Sequence, residues 1–84
     1  MTFADTVREI VKKIPKGKVM TYQEVAGAAG NPKAARAVAN VMAANFNEKV
    51  PCHRVIRADG KLGGYNRGGI EVKRSLLLKE GAIL

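Results

Sequence analysis

The chain has 84 residues, 46% of them hydrophobic, and its 15 Lys and Arg against 7 Asp and Glu give a net charge of +8. That is apolar material for one small domain, 1–84, and too little length for two. One Cys and one His exclude an internal disulfide framework and a four-ligand zinc site, so neither metal nor cofactor is expected. No apolar run approaches a membrane span and no signal-peptide pattern opens the chain. With its lone free thiol it reads as a monomeric cytoplasmic or nucleoid-associated protein that does not engage a membrane. The positive charge describes either a basic soluble surface or an electrostatic footprint for nucleic acid. Its spread through patterned segments, without a basic tail, favours a folded binding surface.

Thr2-Phe3-Ala4-Asp5 has the form of a capping box, and Phe3, Val7, Ile10, Val11 and Ile14 then recur at helical spacing. Pro15-Lys16-Gly17-Lys18 turns the chain, leaving Val19-Met20 for a short extended piece. A second capping box, Thr21-Tyr22-Gln23-Glu24, opens a short helix from about Tyr22 to Ala29, with Gly30 past its end. Asn31-Pro32 predicts the N-cap and first position of a third helix, from Pro32 to about Ala44. So tight a turn between two helices has helix-turn-helix spacing. Ala34, Val38 and Val41 form an apolar stripe on the third helix, and Lys33, Arg36, Ala37 and Asn40 share another face. That face suits insertion into a nucleic-acid groove, small Ala37 admitting close approach, and it equally describes a solvated surface.

Asn45 to Lys49 is a polar loop, and Val50-Pro51-Cys52-His53-Arg54-Val55-Ile56 is expected to be extended. Asp59-Gly60 predicts a hairpin turn between Val55 to Arg57 and Lys61-Leu62. The fold class is therefore mainly α with a short β-ribbon, a winged helix-turn-helix. Gly63 to Gly69 is glycine-rich but lacks the lysine-hydroxyl pair of a P-loop, which argues against a nucleoside triphosphate site. A last helix runs from about Ile70 to Glu80 and stops at Gly81.

Cys52 is the one strong nucleophile candidate; its alternative is a small buried apolar residue. Pro51 rigidifies its approach, and the neighbouring His53, Arg54 and general positive charge favour the thiolate. His53 is a candidate base or a surface histidine. On an extended segment it points away from Cys52, which makes a bridging water the easier route. Glu80 in the last turn of a helix opposes the macrodipole, so it is either tolerated there or held to orient His53.

The motif Pro51-Cys52-His53-Arg54-Val55 resembles the C-terminal, active-site domain of the O6-alkylguanine-DNA alkyltransferases. The likeness runs from Phe3 to Gly81. The resemblance implies a stoichiometric repair reaction on double-stranded DNA containing O6-alkylguanine, in which Cys52 takes the alkyl group. By the same resemblance His53, held by Glu80, accepts the thiol proton through water, and Tyr22 turns out the damaged nucleotide and donates to the leaving guanine. Arg36 fills the gap left by the extruded base, with Lys33, Ala37 and Asn40 on the DNA-facing side. Asn45 is the hinge; Pro51, Val55, Tyr65 and Asn66 shape the pocket. The family's N-terminal domain has no counterpart in these residues, the Asn45 to Cys52 stretch is one residue shorter than in some relatives, and Arg67 stands where small residues are common. Alkyltransferase-like proteins, which bind the same lesion without transfer and signal to another repair pathway, are the alternative. They carry another residue, often tryptophan, at the nucleophile position, and Cys52 speaks against them. An ordinary winged-helix regulator would leave Tyr22 and Cys52 without a role.

Overall fold

A computed structural model describes residues 2–45, 47, 49–59, 61–63, 65 and 67–82. Among them are four α-helices: α1 (Phe3–Lys12), α2 (Tyr22–Ala28), α3 (Ala35–Ala43) and α4 (Gly69–Lys79). Two short strands, β1 (Met20–Thr21) and β2 (Val55–Ile56), complete the fold with a 3₁₀ turn at Cys52–Arg54.

Both predicted capping boxes form. Thr2 Oγ1 accepts from Asp5 N–H at 3.1 Å and Thr21 Oγ1 from Glu24 N–H at 3.0 Å, while each carboxylate accepts in return from the cap residue's own N–H. The caps fix where α1 and α2 begin, and apolar spacing turns Val7 and Val11 of the first, Val25 and Ala26 of the second, into one core. At the far end of α4, Gly81 N–H bonds Leu78 O and Ala82 N–H bonds Leu77 O, with Gly81 at φ +83°. This Schellman closure suits glycine, since a side chain is disfavoured at that φ. It also packs Ala82 with Leu77 in a second apolar cluster. Glu80 is thereby held as the helix C-cap.

The third helix starts later than expected. Ala34 is its N-cap, without a side-chain cap bond. Asn31 spends its groups on a turn instead: its carbonyl accepts from Ala34 N–H at 3.0 Å and Oδ1 from Lys33 N–H at 3.3 Å. An Asn-Pro pair serves a turn as readily as a cap. The connection between α2 and α3 is therefore longer than the residue or two expected, and Lys33 lies before the helix rather than on its face.

The molecule is mainly helical with a small sheet, as expected, but the sheet partner differs. β2 pairs with β1 in parallel, Met20 against Val55 and Thr21 against Ile56. Lys61 and Leu62 form no strand; a single bond, Arg57 N–H to Lys61 O at 2.9 Å, closes the turn that Asp59 begins. Gly60 lies outside the described residues. Two-residue strands carry no alternating pattern, so the local turn signal was the only one to read.

The segment around Cys52 is not extended. Pro51 sits at φ −78°, ψ 69° with Cys52 N–H bonded to Val50 O at 2.8 Å, the geometry of an inverse γ-turn, and the 3₁₀ turn follows at once. Proline's fixed φ suits that turn as well as it suits an extended residue. Successive 3₁₀ side chains are about 120° apart, so Cys52 and His53 diverge without opposing each other.

Candidate active site

Cys52 belongs to the core cluster and is only 4% exposed, yet it forms part of the wall of a cavity of about 430 Å³. Tyr22, Asn40, Met42 and Tyr65 line the same cavity. Tyr22 comes from the first residue of α2, Asn40 from the exposed side of α3 and Tyr65 from the glycine-rich loop, so tertiary packing assembles the site from separate elements.

Behind Cys52 lies a charged network. His53 Nε2 and Glu80 Oε1 are 3.0 Å apart. Arg54 clasps the same carboxylate with two nitrogens, Nε to Oε1 at 3.0 Å and Nη2 to Oε2, and its Nη1 donates to Ile14 O at 2.7 Å. All three side chains are largely buried. The Arg54 bonds, then the His53 bond, hold Glu80 down at a pKa of about 2 against the burial that opposes them. An ionised carboxylate only accepts. The hydrogen between them therefore sits on His53 Nε2, so that in the neutral ring Nδ1 is the accepting nitrogen.

Sequence reasoning counted Arg54 within the motif only as a nearby positive charge and missed its fork, which ties Ile14, just past α1, to Glu80 at the end of α4. It also missed Lys73. That side chain is 1% exposed, donates from Nζ to Leu62 O and lies 5.7 Å from the centre of the Tyr22 ring. Burial pulls its pKa to about 8, and the neighbouring Cys52 opposes the fall. A lysine four residues before the buried Leu77, on the inward stripe of α4, was the available signal. Tyr22 is pushed up by burial and then by the neighbouring Cys52, with Arg57 opposing; burial and then Cys52 likewise raise Tyr65, with Arg67 opposing.

The other expected residues fall as follows. Asn45, 4% exposed, bridges the end of α3 to the loop before Pro51, donating to Asn47 O and Val50 O at 3.4 Å each. Arg36, Ala37 and Asn40 are exposed on α3, and Lys33 is exposed in the turn before it. Val55 is wholly buried in β2, and neither it nor Pro51 lines the cavity. Asn66 lies outside the described residues.

Residues 2–82 match the family model described as 6-O-methylguanine DNA methyltransferase, DNA binding domain. The chain is 49% identical over 74 residues to the methylated-DNA–protein-cysteine methyltransferase of Rattus norvegicus, covering 87% of this chain and 35% of that protein. It superposes on Mycobacterium tuberculosis OGT in complex with DNA with a TM-score of 0.88 at 46% identity, over 95% of this chain and 49% of that one. S. pombe Atl1, in complex with damaged DNA containing O6-carboxymethylguanine, gives 0.84 at 36% identity, over 94% of this chain and 75% of that one. The chain thus spans about a third to a half of the length of the methyltransferases it matches here. With a matching family model over nearly its whole length and a shared helical framework, it belongs to the 6-O-methylguanine DNA methyltransferase DNA-binding domain family.

Proposed function

We propose that the chain repairs DNA by direct reversal, moving one alkyl group from guanine O6 to Cys52 and stopping there. The observation that carries this reading is a cysteine at the wall of a base-sized cavity beside an oriented histidine. Cys52 Sγ attacks the alkyl carbon in line as the carbon–O6 bond breaks. The electron pair stays on the guanine while the thiol proton passes through water to His53 Nδ1; solvent then protonates the released guanine and the imidazolium returns its proton to water. Glu80 steadies the imidazolium and Arg54 steadies Glu80. Tyr22, its pKa raised, keeps its proton and can donate to the leaving base. The thioether has no route back to thiol, so each molecule acts once. Arg36 takes the place of the extruded base, Lys33, Ala37 and Asn40 face the duplex, Asn45 serves as the hinge, and Pro51, Val55, Tyr65 and Asn66 shape the pocket.

A second reading has one observation in its favour, the superposition on Atl1, solved in complex with damaged DNA, at a TM-score of 0.84. Intact mass after incubation with O6-methylguanine duplex separates the two. A single methyl gain on Cys52 is expected, and unchanged mass with tight damage-dependent binding moves the chain to a non-transferring binder.

Two substitutions separate binding from chemistry. Cys52→Ala should abolish transfer and leave affinity for damaged duplex within about twofold. Arg36→Ala should slow transfer from duplex about ten- to hundredfold, because the cost of unstacking is no longer offset. Its thiol should still react normally with a small alkylating reagent. Equal loss toward both substrates would remove Arg36 from the DNA-facing role.

A further inference from the structure

A second groove, of about 460 Å³, adjoins the cysteine cavity and shares Tyr22 and Ala39 with it. It adds Arg36 from α3 and Arg57 from the segment after β2, so two arginines from distant parts of the chain border one concavity. Gly63 lines it too, at φ +74°. A Cβ there would stand 3.2 Å from Arg57 Cγ and 3.4 Å from the Tyr22 hydroxyl, so the bare backbone is what lets the Arg57 stem lie in beside Tyr22.

Arg57 is engaged by Asp59, Nη2 to Oδ2 at 2.9 Å, with roughly half of each side chain in solvent. Asp59 is itself fixed, its Oδ1 accepting from Lys61 N–H at 3.0 Å, which turns Oδ2 toward the guanidinium. So exposed a pair is weak because water competes for both partners. A phosphodiester has the charge and paired oxygens of a carboxylate and can take its place on an arginine. A nucleotide whose base lies beside Cys52 carries its phosphates one sugar away, and the groove lies next to that cavity across Tyr22.

We propose that the Arg36–Arg57 groove is a phosphodiester subsite for the strand that delivers a base to the Cys52 cavity, with Arg57 the phosphate ligand and Asp59 its occupant until DNA displaces it. The assignment rests on reading that cavity as the receptacle for a flipped guanine.

Affinity for an undamaged duplex, measured by fluorescence anisotropy over a salt series, tests it. Arg57→Gln is expected to weaken binding about three- to tenfold and to reduce the steepness of the log–log salt dependence by about one. Asp59→Asn should tighten binding about two- to threefold by freeing Arg57. That gain should vanish in the double variant. A gain that persists without Arg57 is the general field of Asp59 and overturns displacement. An Arg57→Gln loss no larger than that of Lys16→Gln, an exposed cation away from the groove, overturns the subsite. Inorganic phosphate at constant ionic strength should not compete at low millimolar concentration; competition that disappears in Arg57→Gln would make the groove a free-anion site. The duplex carries no alkyl group, so these results do not depend on transfer. An unchanged mass with damaged DNA alongside an intact Arg57 effect defeats the repair reading alone, and the reverse pattern defeats the subsite alone.

Discussion

Glu80 shows how far a residue's surroundings can reverse its local cost. A carboxylate at a helix C-terminus is mildly unfavourable, yet Arg54 and His53 lower its pKa from 4.5 to about 2. The native state therefore binds this proton less readily than the unfolded chain. The stabilisation, on the order of 3 kcal/mol, is complete above about pH 4.5 and drains away as pH falls toward 2. Glu80→Gln should lower stability at pH 7 by about that amount, and urea titrations should show the gap to the parent closing below pH 4.5. A gap of equal size at pH 3 would mean that the network does not act through charge. Lys73 predicts the opposite limb. Its native pKa of about 8 lies below the ordinary 10.5, so the unfolded chain holds a proton that the native state has released. Stability should rise from pH 8 to 10.5, and Lys73→Met should abolish the rise.

Among the elements, the two capping boxes are chemically alike and differ in what they position. Thr21 opens α2 at the residue before Tyr22, while Thr2 opens α1. Replacing either by Ala removes one cap, at about 1 kcal/mol. Both variants should lose similar melting temperature. Only Thr21→Ala should also slow single-turnover transfer, by about three- to tenfold, because it loosens Tyr22 in the cavity wall. Equal transfer rates in the two would mean that Tyr22 is held by packing alone. The 3₁₀ turn at Cys52–Arg54 has a different origin: Pro51 and its γ-turn set its start, and Arg54 anchors its end to Ile14, just past α1, and to Glu80, the cap of α4. One arginine thus orients the cysteine segment and the histidine's carboxylate together.

At the scale of the molecule, the +8 charge lies on a folded surface, with Arg36 on the exposed side of α3 and Arg57 across the adjoining groove among its cations. A footprint that neutralises about four to six phosphates gives a log–log salt slope near −4 to −5 for binding to undamaged duplex. A nearly flat response would exclude phosphate contacts as the main source of affinity. With a radius of gyration of 11.5 Å and a core made chiefly of Val, Ile, Leu, Ala and Met, the fold has little apolar reserve. Paired groups such as Glu80 and Arg54 therefore weigh heavily in its stability.

The sequence by itself determined what is local. Capping boxes, helical periodicity and the glycine after α4 are read within one or two turns, and the Pro51-Cys52-His53-Arg54-Val55 motif singled out Cys52 as the nucleophile candidate before any fold was known. Asn31-Pro32 misled because one dipeptide can serve two neighbouring backbone geometries, and Pro51 misled for the same reason. Tertiary structure decided whatever joins distant positions: the parallel pairing of Met20 with Val55, the clasp of Arg54 on Glu80 and Ile14, and the burial of Lys73 beneath Tyr22. These contacts leave no periodic trace along the chain, because their partners are brought together only when the helices pack, and a side chain's pKa and neighbours are set by that packing.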